Sequence, residues 1–115
     1  MGRMIYKAVP ASLWRKAEDE RHWRGAPVDL ADGYIHFSSA DQLAQTLEKH
    51  FAGEDDLLLV AVDEDVLGDD LRWEVSRGGA LFPHLHARLS VDDIAWVEPL
   101  PLGPDGRHVL PERMT

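Results

Sequence analysis

Short apolar and alternating runs along the chain predict its strands. Residues 71–75 alternate apolar and polar side chains, which is typical of a strand exposed on one face. Residues 57–62 are apolar without alternation, which predicts a central strand covered on both faces. Further strands are predicted at residues 4–9, 34–38 and 94–100, with a short one at 108–110, and residues 82–89 are interpreted as a loop followed by a strand.

Apolar residues spaced three or four apart predict two main helices. The first occupies about residues 10–21, after the first strand. The second begins after Ser39, with Gln42 three residues on, as in a capping box. Its apolar stripe starts with Leu43 and Leu47, at the spacing of one helix face.

The order of these elements predicts an α+β fold. Residues 22–33 and 76–80 contain several Gly and Pro residues and are predicted as loops, and 63–68 as a turn or short helix. Five to seven strands do not alternate regularly with the helices, which favours a mixed or antiparallel sheet over a doubly wound one. A length of 115 residues fits a single domain.

Composition narrows the function classes. The chain has no cysteine, which excludes disulfides, thiolate nucleophiles and sulfur-ligated zinc, and fits a cytoplasmic location. The longest aliphatic run, 57–62, is far too short to cross a membrane. The net charge of −9 disfavours binding to nucleic acid. Residues 1–24 nevertheless hold six Lys and Arg against three acidic residues, so a small anionic ligand fits if arginines line its pocket.

A row of polar side chains on the strand 34–38 is the first candidate site. In a strand Tyr34, His36 and Ser38 share one face, opposite Ile35 and Phe37. A phenol, an imidazole and a hydroxyl in one row can hold the hydroxyls of a sugar or relay a proton. The alternatives are a solvated strand face, or a histidine whose hydrogen bonds are made by the backbone.

A second polar row lies on the strand 71–75 and in the loop after it. Arg72 and Glu74 share a face, and Arg77 stands before two glycines whose free N–H groups suit an anion. Arg77 can add a bidentate contact to phosphate or carboxylate. The alternative for this loop is a hairpin turn with a surface arginine.

Two histidines follow in the next predicted extended segment. His84 and His86 share a face when the segment is extended, which makes His84 a ligand-binding candidate beside His36. Imidazoles also bind metals, but no further ligand stands at a diagnostic spacing, so no metal site is predicted.

Two long stretches of the chain resemble a known bacterial family. They are GAPVDLADGYIHFS at residues 25–38 and LRWEVSRGGALFPHL at residues 71–85. Both closely resemble the domain-of-unknown-function family number nine-five-two, and the resemblance covers about residues 4–111. That family resembles the ADP-ribosylation fold, which implies a split, mostly antiparallel sheet around a cleft that holds NAD in relatives.

The resemblance also implies roles for particular residues. His36 and Ser38 match a strand-borne His and Thr or Ser that hold the ribose and nicotinamide side of NAD, with Phe37 where relatives have Gly. The catalytic glutamate of relatives corresponds to Glu74, which stands beside the other polar groups, or to Glu98, which fits the order along the chain. On this interpretation the catalytic residues are Glu74 and His36, and the ligand-binding residues are Tyr34, Ser38, Arg72, Arg77 and His84. Two alternatives remain: a small-metabolite binding module without catalysis, and a structural or interaction protein.

Overall fold

Antiparallel strands dominate the structure, a computed structural model that describes residues 2–114 except for the side chain of Arg77. Three α-helices are described: α1 (Ala11–Glu20), α2 (Pro27–Asp32) and α3 (Ala40–His50). The described strands are β1 (Met4–Pro10), β2 (His22–Trp23), β3 (Ile35–His36), β4 (Ser38–Ser39), β5 (Leu57–Asp63), β6 (Leu71–Val75), β7 (Leu81–Leu85), β8 (Leu89–Ser90) and β9 (Ile94–Leu100). Short 3-10 turns occupy Glu64–Asp70, Arg77–Gly79, Val91–Asp93 and Glu112–Met114.

The strands form two main sheets that meet at Phe37. A four-stranded sheet has the order β4-β1-β5-β9, a three-stranded sheet the order β3-β7-β6, and β2 pairs with β8. Among the described residues, neighbouring strands in these sheets are antiparallel. Phe37 separates β3 from β4, so one extended segment contributes an edge strand to each main sheet. The predicted α+β class with a mostly antiparallel sheet is confirmed.

The four-stranded sheet is covered on both faces. On one face β1 and β5 residues such as Tyr6 and Leu59 pack against Leu43 and Leu47 of α3. On the other face lies a core of α1, the three-stranded sheet and the β2–β8 pair: Ile5, Val9, Trp14, Ala17, Trp23, Ile35, Phe37, Val60, Val62, Leu85 and Leu89. β5 is therefore central and doubly covered, as its unbroken apolar sequence predicted. No helix in the part of the chain that the structure describes is long and apolar enough to cross a membrane.

Helices α1 and α3 lie close to their predicted positions. Pro10 ends β1 and precedes α1, rather than forming its first turn. At the start of α3 the backbone N–H of Ser39 donates to Gln42 Oε1 at 3.0 Å, as the capping-box pattern predicted. Leu43 and Leu47 are buried, so the predicted apolar stripe is the face that packs on the sheet.

The prediction that residues 22–33 form a loop is wrong. This segment contains β2 and the short helix α2. Pro27 occupies the first turn of α2, where its missing N–H costs nothing, and Gly33 ends the helix in a left-handed conformation at φ 89°. The same Pro and Gly that indicated a loop are therefore the start and stop signals of a six-residue helix.

Two further predictions about strands need correction. In the region 82–89 the strand comes first, as β7, and the loop follows. Pro83 has no backbone N–H to donate, but its carbonyl still accepts the Phe37 N–H at 2.9 Å, so β7 keeps its place between β3 and β6. At 108–110 the structure has a single antiparallel bridge, Leu102 to His108, instead of a strand.

Candidate functional site

Four ring side chains form a cluster on the face of the three-stranded sheet. His36 on β3 lies directly opposite His84 on β7, and Tyr34 and His86 stand two residues away from them along the chain. The Tyr34 ring centroid lies 4.2 Å from that of His84, 4.7 Å from His36 and 5.0 Å from His86. The rings of His36 and His84 are 5.3 Å apart and nearly perpendicular. Tyr34, His36, His84 and His86 are called the ring cluster below.

A buried aspartate of α2 holds the first imidazole. Asp29 is 1% exposed, and its Oδ1 lies 2.6 Å from His36 Nδ1. The same oxygen accepts the His36 backbone N–H at 3.1 Å, and Oδ2 accepts the N–H of Ala26 at 2.7 Å. Burial acts to raise the pKa of Asp29, but the hydrogen bond from His36 and the charge of Lys7 outweigh it and hold that pKa below its ordinary value.

Lys7 of β1 supplies the positive charge beside Asp29. Its Nζ lies 3.2 Å from Asp29 Oδ2 and donates to the His36 carbonyl at 2.8 Å. Burial lowers the pKa of Lys7, and the Asp29 carboxylate offsets this in part. Lys7 therefore ties the four-stranded sheet to both α2 and β3, at the back of the His36 ring.

A second carboxylate lies on the other side of His36. Asp32 Oδ2 is 3.0 Å from His36 Nε2, and the Asp32 side chain is 46% exposed. Each ring nitrogen of His36 therefore faces a carboxylate, one buried and one open to solvent. Asp32 stands at the end of α2, where a bound molecule can displace it without unpacking the core.

The remaining imidazoles share one carboxylate oxygen of β6. Glu74 Oε1 lies 2.9 Å from His84 Nδ1 and 2.8 Å from His86 Nε2. The hydrogen bonds from His86 and His84 hold the pKa of Glu74 below its ordinary value. As an anion Glu74 only accepts hydrogen bonds, so the His84 proton sits on Nδ1.

His84 carries a buried nitrogen without a partner. Its Nε2 is buried and has no hydrogen-bond partner among the described residues, and the whole side chain is 2% exposed. Burial lowers the pKa of His84 more than the contact with Glu74 raises it, so the neutral form is favoured. Nε2 is then a free acceptor behind the Tyr34 ring, which stacks on the imidazole.

A groove of about 380 Å³ opens beside the ring cluster. It runs between α2 with its preceding loop and the end of β7, and is called the arginine groove below. Its lining residues are Arg24, Asp29, Leu30, Gly33, Tyr34, Ile35, Leu85, His86, Ala87 and Arg88. The groove therefore joins two ring-cluster residues to two exposed arginines.

The structure brings most of the residues singled out in the sequence to one face. His36, His84 and Arg72 lie opposite one another across β3, β7 and β6, and Glu74 bonds to His84 from the same side. Phe37 is 2% exposed and packs in the core, away from this face.

Ser38 lies apart from this open surface. It pairs with Tyr6 of β1, and its Oγ lies 2.9 Å from Thr46 Oγ1 of α3. Helix α3 therefore buries the hydroxyl that the sequence placed in one exposed row with Tyr34 and His36, and the expected row ends at His36.

Two other candidates have different outcomes. The Arg77 side chain lies outside the described part of the structure, so its predicted anion contact stays a prediction. Glu98 lies on β9, at the far edge of the four-stranded sheet, and pairs with Arg113 at 3.7 Å. Of the two glutamates considered for catalysis, the structure puts Glu74 beside the histidines.

Sequence reasoning missed the groups that hold the ring cluster. Asp29 and Asp32 lie in α2, and Lys7 comes from a different sheet. The signal for α2 was present in Pro27 and Gly33, but nothing local shows that Asp29 is buried. Among the described residues no group of three or more His, Asp or Glu is arranged to hold a metal ion.

Comparison with known proteins identifies the family. Residues 8–97 match the family described as protein of unknown function DUF952. The crystal structure of protein CC0527 from Caulobacter crescentus, a structural genomics target, is 41% identical over 96% of this chain and 97% of that chain, with a TM-score of 0.91. Its solution NMR structure is 43% identical over 90% of each chain, with a TM-score of 0.83. No significant match is found among curated proteins. The family resemblance predicted from residues 25–38 and 71–85 is thus confirmed, and the chain belongs to the DUF952 family.

Proposed function

We propose that the ring cluster binds NAD or an ADP-ribose-like nucleotide, in a cytoplasmic protein whose domain has an ADP-ribosylation-like fold. The observation that carries the proposal is the position of His36, His84 and Glu74 on one face of three adjacent strands. The two-part antiparallel sheet is compatible with the split sheet that the family resemblance implies.

The geometry of the ring cluster suits a ligand that carries sugar hydroxyls and flat rings. Carboxylates fix three imidazoles, so their donor and acceptor atoms have set directions before any ligand arrives. Aromatic and imidazole faces pack against flat heterocycles, and the Glu74 carboxylate, whose side chain is 38% exposed, accepts hydrogen bonds from hydroxyl groups. Arg72, exposed and opposite His84, and Arg77 supply cations for a pyrophosphate.

The same arrangement supports a transfer reaction at the ribose. In that reaction the bond between nicotinamide and ribose breaks, and nicotinamide leaves with the bonding electron pair. A hydroxyl acceptor, water in the simplest case, then forms a bond from its oxygen to the ribose carbon and gives up its proton to the solvent. Glu74 would accept a hydrogen bond from the ribose 2′-hydroxyl and stabilise the positive charge that develops, while His36 orients the ribose. The low pKa of Glu74 keeps it ionised for this role at neutral pH.

Calorimetric titration with NAD and with ADP-ribose tests the binding. We expect saturable binding of at least one of them below millimolar concentration, and His36→Ala should weaken it about tenfold, because a hydrogen bond to the ligand is lost. His50→Ala is the matched control, since His50 is exposed at the end of α3, on the other side of the four-stranded sheet. No detectable heat at millimolar concentration of either compound would contradict the proposal.

A second candidate function is a binding module for a small polar metabolite without chemistry. It is favoured by one observation: Glu74 already accepts hydrogen bonds from two imidazoles, so this carboxylate has partners without a substrate. Release of nicotinamide from NAD separates the two functions. Catalysis requires release by the wild type and loss of release with Glu74→Gln at unchanged NAD binding. Binding without any release supports the module.

A further inference from the structure

The arginine groove holds two cations without a carboxylate partner in the part of the chain that the structure describes. Arg24 and Arg88 are exposed, line the groove together, and have no ion pair or hydrogen bond within the described part of the chain. Two guanidinium groups that line one groove can together bind an external anion.

The acidic residue that lines the groove is already neutralised. Asp29 is buried, and its two oxygens are taken up by Lys7, by His36 and by the N–H of Ala26. Its charge therefore does not cancel those of Arg24 and Arg88 in the groove. The ring of His86 lines the same groove, and the contact between its Nε2 and Glu74 holds the ring in place.

A second cavity continues the positive surface beyond Arg24. It has a volume of about 400 Å³ and lies between α1 and β2. Arg24 lines both cavities, and the second one adds Lys16 and His22, with Glu20 as its acidic residue. Arg24 thus stands at the junction of two hollows, each large enough for part of a nucleotide-sized ligand.

We propose that Arg24 and Arg88 form a phosphate subsite, which binds the phosphate or pyrophosphate of an organic ligand. The planar guanidinium groups bind phosphate oxygens in pairs, and Tyr34 and His86 lie on the same groove to contact the organic part. The subsite differs from the loop around Arg77, where the sequence predicts an anion contact. The identity of the organic ligand rests on the proposed function. Binding of the phosphate itself depends only on Arg24 and Arg88.

Titration with inorganic pyrophosphate, followed by NMR of the backbone amides and by calorimetry, tests this subsite. We expect the largest amide shifts at Arg24, Arg88 and His86. Arg24→Gln and Arg88→Gln should each weaken pyrophosphate binding about tenfold or more, and the double variant should abolish it. Arg15→Gln is the control, because Arg15 is an exposed arginine of α1 that lines neither cavity, and it should change the affinity by less than about twofold.

The same variants, titrated with ADP-ribose, separate this inference from the proposed function. If pyrophosphate binds in the groove but NAD and ADP-ribose do not bind, the subsite stands and the nucleotide proposal fails. If ADP-ribose binds equally well to the wild type and to the double variant, the nucleotide proposal stands and the subsite is wrong. Pyrophosphate shifts centred on residues 76–80 instead of the groove would also overturn the subsite.

Discussion

Asp29 and His36 are joined twice through one oxygen atom. Asp29 Oδ1 accepts the ring Nδ1–H of His36 at 2.6 Å and its backbone N–H at 3.1 Å. The first contact sets which ring nitrogen carries the proton and how the imidazole is rotated. The second contact fixes the backbone of β3 at His36. The position of His36 therefore depends on a residue seven places earlier in a short helix, and through Lys7 on a different sheet.

Removing the charge of Asp29 should destabilise the whole domain. Asp29→Asn leaves Lys7 buried without its counter-ion, and breaking a buried pair in this way costs about 3 to 5 kcal/mol of unfolding free energy. Urea unfolding measures the loss. Asp32→Asn is the control, because the half-exposed Asp32 pairs with the same imidazole and should cost less than about 1 kcal/mol. Equal losses in the two variants would show that burial of Asp29 does not matter.

Gly25 should tolerate no side chain, because it packs against the same aspartate. Its φ is 118°, and a Cβ added there would lie 2.5 Å from Asp29 Cβ. Gly25→Ala therefore combines backbone strain with a clash inside the site. Gly53→Ala, at φ 74° with no atom nearby, measures the strain alone. We expect Gly25→Ala to cost about 1 to 3 kcal/mol more than Gly53→Ala in thermal or urea unfolding, and no difference would contradict the packing.

The sequence predicts those features of the site that depend on neighbours in the chain. Alternation placed Tyr34 opposite Ile35, and the capping pattern placed the start of α3, because each depends on a few adjacent residues. The pairing of His36 with His84 depends on the register between β3 and β7, which long-range contacts set and no local pattern reports. Burial of Asp29 likewise depends on a lysine that arrives from another sheet.

His84 should make stability fall in weak acid. Burial lowers its folded pKa below the ordinary value of 6.5, so the unfolded chain binds a proton more readily. Its contribution is fully present above about pH 6.5 and is lost as pH falls through the folded pKa. The slope is at most about 1.4 kcal/mol per pH unit for one proton. The carboxylates Asp29 and Glu74, whose folded pKa values are also lowered, act in a lower window, below their ordinary values of 3.8 and 4.5.

Urea unfolding of the wild type and of His84→Gln between pH 7 and pH 5 isolates this effect. Gln carries no titrating group, so the variant should be less pH-dependent across that range even if it is less stable at every pH. The pH slope is the readout, and it is independent of any overall loss from repacking. Parallel curves for the two proteins would show that His84 does not titrate differently in the folded state.

Tyr34 should control the pKa of His84 by covering it. The phenol ring stacks on the imidazole at 4.2 Å, and burial is the main cause of the lowered pKa of His84. Tyr34→Ala admits water to Nε2, so the His84 pKa should rise toward 6.5, whereas Tyr34→Phe keeps the stacked ring and should leave it low. NMR titration of the His84 ring proton against pH measures both variants. If the pKa of His84 stays low in Tyr34→Ala, residues other than Tyr34 bury Nε2. If the pKa of His84 rises equally in both variants, the effect comes from the Tyr34 hydroxyl rather than from its ring.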